Sequence, residues 1–348
     1  MRIIEFEESD ERSTLADDTY REKIVFVGDI TFSASPILSH KVMIVVEDPV
    51  CGIDEDKLKI YDKWDDTIKK ECILEKKKIV SELQNFFDMG VVSKEVDIYN
   101  VGQANCCYCN LGSKSLFFDI GITRSKDERD TTLVKKAIEE ISELDVDAVI
   151  LSHWDLDHIL GVCYNKKCME NKLWVVPDFE NLYHVPRLSI KRLCNYLLRN
   201  GKSKLLMVDT TDIDKVLFRS SNDSVSIYMG EPKAAYGINK MNNGGLILAL
   251  QNRRNILLPG DCENSIIPSD AINVDYNNVL IPHHGSMMSM PKIKAKKDKR
   301  SVAYLSCGKV AGNCKIDSLI GLKYLSRGFR RMCSTMNLKK KYMYRVKL

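Results

Sequence analysis

The sequence predicts an α/β layered fold preceded by a small N-terminal accessory segment. Three observations carry that expectation. From Val96 onward, short apolar runs with many β-branched residues alternate with charged stretches that repeat apolar residues at helical spacing. Several of those runs stop at polar, ligand-type side chains, which places a site along one sheet edge. A hydrophobic content of 44% over 348 residues is enough to build one large core or two ordinary ones.

Taken in order, residues 1–95 hold strand-like runs at Lys23–Val27 and Lys41–Val46. An amphipathic stretch from Asp62 to Met89 follows, with Ile68, Cys72, Ile79, Leu83 and Phe86 or Phe87 near helical spacing. No recognisable chemistry lies there, so residues 1–95 are expected to form an accessory domain or extension, a surface for a protein partner. Asp97–Val101 and Ser115–Asp119 read as strands, and Thr131–Leu144 as a helix with Leu133, Ala137, Ile138 and Ile141 on one face. Val146–Leu151 reads as a buried strand that stops at Ser152, and Leu173–Val176 as a strand that Pro177 ends. Leu188–Leu198 reads as a helix, Val225–Tyr228 as a strand, and Gly245–Leu250 with Asn255–Leu258 as two close strands. Asn278–Ile281 leads into Pro282–Ser286, and Val302–Ser306 and Ile316–Leu325 read as a late strand and a late helix. The main domain is thus expected over 96–325, with 326–348 as a basic C-terminal tail.

Composition narrows the function classes. No apolar run approaches the length that spans a bilayer, and the N-terminus turns acidic within its first ten residues, unlike a secretory signal. Twelve cysteines without a paired CxxC layout are expected as buried thiols in a reducing cytoplasm. The net charge of +4 hides an asymmetry: Lys292 to Leu348 carries seventeen Lys or Arg against Asp298 and Asp317, a net of +15. The densest block holds Lys296, Lys297, Lys299 and Arg300, which are expected to bind an anionic substrate such as a nucleic acid or nucleotide.

The chemistry concentrates in Ser152–Gly161, where His153, Asp155, Asp157 and His158 follow a buried strand. Buried carboxylates are costly without a counter-charge, and a divalent cation supplies it; His with Asp suits Zn²⁺, Mn²⁺ or Fe. Asp119, Asp261, and His283 with His284 stand at three further strand ends, so all four groups are placed to meet at one sheet edge.

This order of motifs resembles the metallo-β-lactamase superfamily, and within it the hydrolase branch of competence DNA-uptake (ComEC-type) proteins. The likeness runs from Val96 to Leu325: Val101–Ala104, Phe117–Gly121, Ser152–His158, Asn242–Leu248, Leu258–Asp261 and Ile281–Ser286. In Ser152–His158, Asp155 stands where the superfamily more often has a second His. The resemblance implies a metallo-β-lactamase-like αββα sandwich and two divalent metal ions, Zn²⁺ or Mn²⁺. It implies Asp261 as a bridge between the metals, His153 and Asp155 on the first, and Asp157, His158 and one of His283 or His284 on the second. Asp119, Asn242 and Asn243 would support these ligands from behind. A hydroxide bridging the metals would attack a phosphorus or carbonyl centre. One departure from the branch is that no His follows His284; Lys309 or Lys315 is left to stabilise charge there. The leading expectation is a phosphodiesterase or nuclease. Hydrolysis of a small ester, thioester or cyclic nucleotide is the second, and a degenerate, non-catalytic binding protein the third.

Overall fold

The computed structural model describes residues 74–87, 90–178, 188–199, 201–235, 238–298, 300–308 and 316–348. The strand-like runs at 23–27 and 41–46, and the first half of the amphipathic stretch, lie outside the described residues.

Among the described residues, fourteen strands form two seven-stranded sheets. The first holds β1 (Glu95–Tyr99), β2 (Cys106–Asn110), β3 (Ser115–Ile120), β4 (Ala148–Ile150), β5 (Leu173–Pro177), β6 (Lys204–Val208) and, at its edge beside β1, β14 (Met343–Lys347). The second holds β7 (Val216–Arg219), β8 (Val225–Met229), β9 (Leu246–Gln251), β10 (Asn255–Leu258), β11 (Asn278–Leu280), β12 (Val302–Leu305) and β13 (Arg331–Ser334). In each sheet one side pairs antiparallel and the other parallel; β3 to β6 and β10 to β13 are the parallel runs.

The layers follow from alternation along the strands. Side chains on a strand point to opposite faces, so Ala148 and Ile150 enter the core between the sheets while Val149 packs on the outer face. In β10, Ile256 and Leu258 face the inter-sheet core and Leu257 the outer one. The helix Thr132–Glu143 buries Val134, Ala137 and Ile141 on the outer side of the first sheet, and Leu193, Cys194 and Leu197 of the helix Leu188–Arg199 join the same cluster. Ile320 and Tyr324 of the helix Ile320–Leu325 lie in the cluster outside the second sheet. The result is the αββα sandwich.

Three expectations change. The helix Lys76–Phe87 buries Ile79, Leu83 and Phe87 in the inter-sheet core, with Phe87 stacked on Phe218 at 5.2 Å, so the residues before 95 include part of the main body. Residues 326–348 are not a tail. Arg331–Ser334 pairs with β12, and Met343–Lys347 pairs with β1, where Arg345 makes a two-pronged ion pair with Asp97 at 2.7 and 2.8 Å. Part of the charge that made this stretch read as solvated chain, Arg331, Arg345 and Lys347, belongs to edge strands, whose outward side chains stay wet. The late helix is also shorter than expected, beginning at Ile320. No helix among the described residues is long and apolar enough to cross a membrane. None of the nine described cysteines is in a disulfide, and seven are buried.

Candidate metal centre

A bulged strand end and three loops that follow strands deliver the site. In the pairing of β2 with β3 the register slips between Cys106 and Cys107, leaving Asp119 of β3 as the extra residue of a bulge with φ 55. Such a bulge re-aims a side chain, and here it sends the carboxylate inward, where Ser152 donates to it from N (2.7 Å) and Oγ (2.8 Å). His158 Nδ1 lies 2.7 Å from the same carboxylate. After β4, His153 and the short helix Leu156–Ile159 bring in His153, Asp155, Asp157 and His158. After β10, Pro259 and Gly260 carry Asp261 past the strand end. Gly260 sits at φ 58 with its missing Cβ 2.4 Å from Ser152 Cβ, so a side chain there would have neither the conformation nor the room. After β11, His283 and His284 both adopt left-handed backbone, at φ 47 and 50. Each such residue costs roughly 1–2 kcal/mol for an L side chain. Two in succession mark a turn whose shape is held by what its side chains reach.

They reach Asp261. On its Oδ1 side lie His158 Nε2 at 3.3 Å, His284 Nε2 at 3.9 Å and the Asn105 amide at 3.4 Å. On its Oδ2 side lie His153 Nε2 at 4.0 Å, His283 Nε2 at 3.8 Å and the Asn242 amide at 3.5 Å. Asp155 stands 3.3 Å from His153 Nε2, and Asp157 3.1 Å from His284 Nε2. Donor atoms of His153, His158 and Asp261 fall within 4.8 Å of one another, as do those of Asp157, His158 and His284. Both neighbouring histidines therefore belong to the site, with His284 in the Asp157 cluster and His283 on the His153 side.

The ring orientations fit cation ligands. His284 Nδ1 lies 3.0 Å from the Ser306 carbonyl, which can only accept, so that nitrogen carries the proton and Nε2 faces the cluster. His158 is fixed in the same way by Asp119, and His153 Nδ1 by Ser152 Oγ at 3.1 Å, whose own proton goes to Asp119. His153 Nε2 and His158 Nε2 are buried, each with a carboxylate oxygen 3.3 Å away but with no well-aligned hydrogen bond among the described residues. A buried nitrogen of this kind is costly unless something takes its lone pair. The residues present fit a pair of divalent cations sharing Asp261.

Without cations the cluster is held by protons. Burial alone would strip His158 and His284, but Asp261, with Asp119 beside the first and Asp157 beside the second, raises both above the ordinary imidazole range. Burial opposes the charge on Asp157 and Asp261, yet the imidazoles keep both carboxylates ionised below their ordinary range. For Asp155 the partner that outweighs burial is His153. His283 goes the other way, burial pushing it down despite Asp261. The side chains of His153, His158, His284 and Asp261 are at most 3% exposed, whereas Asp155, Asp157 and His283 are 24–28% exposed and form the rim open to solvent.

Other expected site residues sit elsewhere. Asn243 donates to the Lys233 carbonyl and accepts from Glu263 N, anchoring a loop and leaving Asn242 as the one that meets Asp261. Lys296, Lys297 and Arg300 precede β12, at the N-terminal end of a strand whose other end supplies Ser306 to the site. They lie at the opposite edge of the sandwich, so they do not line the cluster. Lys299, Lys309 and Lys315 are outside the described residues. Asn105 and Ser152 carry more of the site than their sequence positions announced. The one available signal was adjacency, Asn105 to the Val101–Ala104 motif and Ser152 to His153.

No protein-family model matches the chain, and no curated protein does. Solved structures resemble it at low identity. The metallo-β-lactamase fold protein YhfI from Bacillus subtilis is 10% identical over 72% of this chain and 99% of its own, with a TM-score of 0.40. Igni18, a metallo hydrolase from the archaeon Ignicoccus hospitalis, is 12% identical over 73% and 99%, with a TM-score of 0.42. Zn²⁺-bound PqqB from Methylobacterium extorquens is 8% identical over 73% and 100%, with a TM-score of 0.41.

Proposed function

We propose that the chain is a metal-dependent phosphodiesterase akin to the ComEC-type branch it resembles. The observation that carries this reading is Asp261, one buried carboxylate with a histidine cluster on each oxygen. His153, Asp155 and His283 would hold one divalent cation, and His158, Asp157 and His284 the other, with Asp261 common to both. Bound there, the cations supply Lewis acidity and a water acidic enough to deprotonate near neutral pH. The chain's own part is preorganisation. Asp119, Ser152 and the Ser306 carbonyl hold the Nδ1 protons of three rings, so that each Nε2 faces inward and is the atom a cation would take from its proton. Asn105 and Asn242 hold the Asp261 carboxylate from either side. The rim of Asp155, Asp157 and His283 sets the face from which substrate arrives, and Asp155 in place of an imidazole moves the first position towards Mn²⁺ relative to Zn²⁺. Lys309 remains the residue proposed to stabilise charge on the leaving side.

The distance of Lys296, Lys297 and Arg300 from the cluster favours a second reading, hydrolysis of a small diester such as a cyclic nucleotide. A metal count on protein purified without added metal, beside turnover of bis(p-nitrophenyl) phosphate, cyclic nucleotides, DNA, RNA and a thioester with Zn²⁺ or Mn²⁺, separates these. Phosphodiesterase activity that disappears in Asp157→Ala is expected. Turnover of the thioester alone, or none by a fully loaded protein, overturns the proposal.

A further inference from the structure

The edge of the sandwich opposite the metal centre carries a groove of about 830 Å³. It lies where the second sheet's parallel strands begin and where β14 ends: Arg254 precedes β10, Asn277 precedes β11, Arg300 precedes β12 and Arg331 opens β13. Arg345 and Lys347 of β14 close it from the first sheet. Its cations therefore come from both sheets, and neighbouring strands present them at steps of roughly 5 Å.

The charge there is mostly uncompensated. Asp298 is the one acidic side chain in the lining, and it lies near Arg254 (4.0 Å) and Arg300 (3.8 Å). Arg345 is taken by Asp97. Arg253, Lys296, Lys297, Arg331 and Lys347 are exposed and have no ion pair among the described residues. Arg254 Nε is buried without a hydrogen-bond partner there. Gathering like charges in a concave site is unfavourable unless an anion visits it, and the concavity focuses the field. The aromatic and aliphatic side chains of the lining are hidden, since Tyr304, Val346 and Leu348 are at most 8% exposed. A protein partner usually gains its affinity from exposed aromatic or aliphatic anchors, which this groove lacks. A polyanion gains it from the charges themselves, and arginine forks match phosphate oxygens in pairs.

We infer that this groove binds the phosphodiester backbone of a nucleic acid, at a site separate from the metal centre. It goes beyond the hydrolase reading, and binding there needs neither cations nor Asp157. The groove reads no base sequence, because its donors face phosphates and its rings are buried.

The test is fluorescence anisotropy of the full chain in EDTA with labelled DNA and RNA oligonucleotides and a labelled poly-glutamate peptide. The oligonucleotides are expected to bind with little sequence preference, with affinity falling steeply as salt rises. The pair Arg253→Glu and Lys297→Glu should weaken binding at least about tenfold and lower the slope of log affinity against log salt by about 2. The pair Lys135→Glu and Lys136→Glu, on the exposed face of the helix Thr132–Glu143, should change neither. Circular dichroism checks folding, and Arg253→Gln with Lys297→Gln carries the same test at lower perturbation. Equal capture of poly-glutamate would overturn the inference in favour of an acidic protein partner. Binding lost in Asp157→Ala, or unchanged by both groove pairs, would overturn it in favour of another site.

Discussion

In each sheet the antiparallel strands give way to parallel ones at a single strand, β3 in the first and β10 in the second. Both strands lead to an aspartate, Asp119 and Asp261, and the next strand in each sheet leads to histidines, His153 in one and His283 with His284 in the other. The two aspartates nevertheless do different work. Asp119 is turned inward by a bulge while still inside its strand and spends its oxygens on Ser152 and His158. Asp261 is carried beyond its strand by Pro259 and Gly260 and meets four imidazoles. Corresponding strands thus yield a carboxylate shared by four imidazoles in one sheet and a carboxylate that orients a single imidazole in the other, according to where the backbone departs from regular pairing.

The sharpest way to break that comparison is to neutralise each aspartate. Asp261→Asn should lower metal content to that of chelated protein and abolish turnover, because both clusters lose their shared anion. If it retained two metals, the bridging role would be wrong. Next in size is Gly121→Ala. A Cβ there would fall 1.7 Å from the Asp157 carbonyl, which Asn105 N also needs at 3.0 Å. A loss of about 3 kcal/mol, the upper end for overpacking, is expected in urea unfolding; a loss below 1 kcal/mol would show that the two loops can part. Asp119→Asn should keep metal stoichiometry but weaken affinity by about 10–100-fold, the usual effect of removing a ligand's supporting carboxylate. An effect as large as that of Asp261→Asn would erase the distinction between the halves.

The smallest effect is set by protons. In chelated protein His158 and His284 hold protons above the ordinary imidazole value of 6.5, so their contribution is complete below that pH and lost as pH climbs through the folded values. Asp157 and Asp261 ionise below the ordinary 3.8, so theirs is present above that pH and lost as pH falls. Chelated protein should melt highest between about pH 4 and 6.5. Added Zn²⁺ or Mn²⁺ should move the optimum upward, because cation and proton compete for the same nitrogens. Thermal melts at several pH values with and without EDTA check this, and identical profiles would remove the cation from the site.

Much of this was legible in the residues. Val146–Leu151 followed by His153 announced strand then ligands, because apolar runs and buried charge obey strong local rules. The choice between His283 and His284 was not legible, since it depends on two left-handed backbone turns that no side-chain pattern encodes. Asn243 looked equivalent to Asn242 because one residue of helical rotation separates facing Asp261 from facing Lys233. The basic block misled for a related reason: residues close to His284 in sequence lie a strand's length away once the chain crosses back to start β12. Arg331–Ser334 and Met343–Lys347 were hidden because edge strands with charged outer faces have little of the apolar pattern by which strands are recognised.

β14 pairs with β1 across the whole domain, Val96 against Val346. During synthesis the first sheet therefore waits at that edge while some 250 further residues are made, and Asp97 is without its partner Arg345 for the same interval. Long-range closure of this kind slows folding. An open, partly apolar strand edge is also where nascent chains associate, so the interval between the making of β1 and of β14 is when that edge is most open to mispairing.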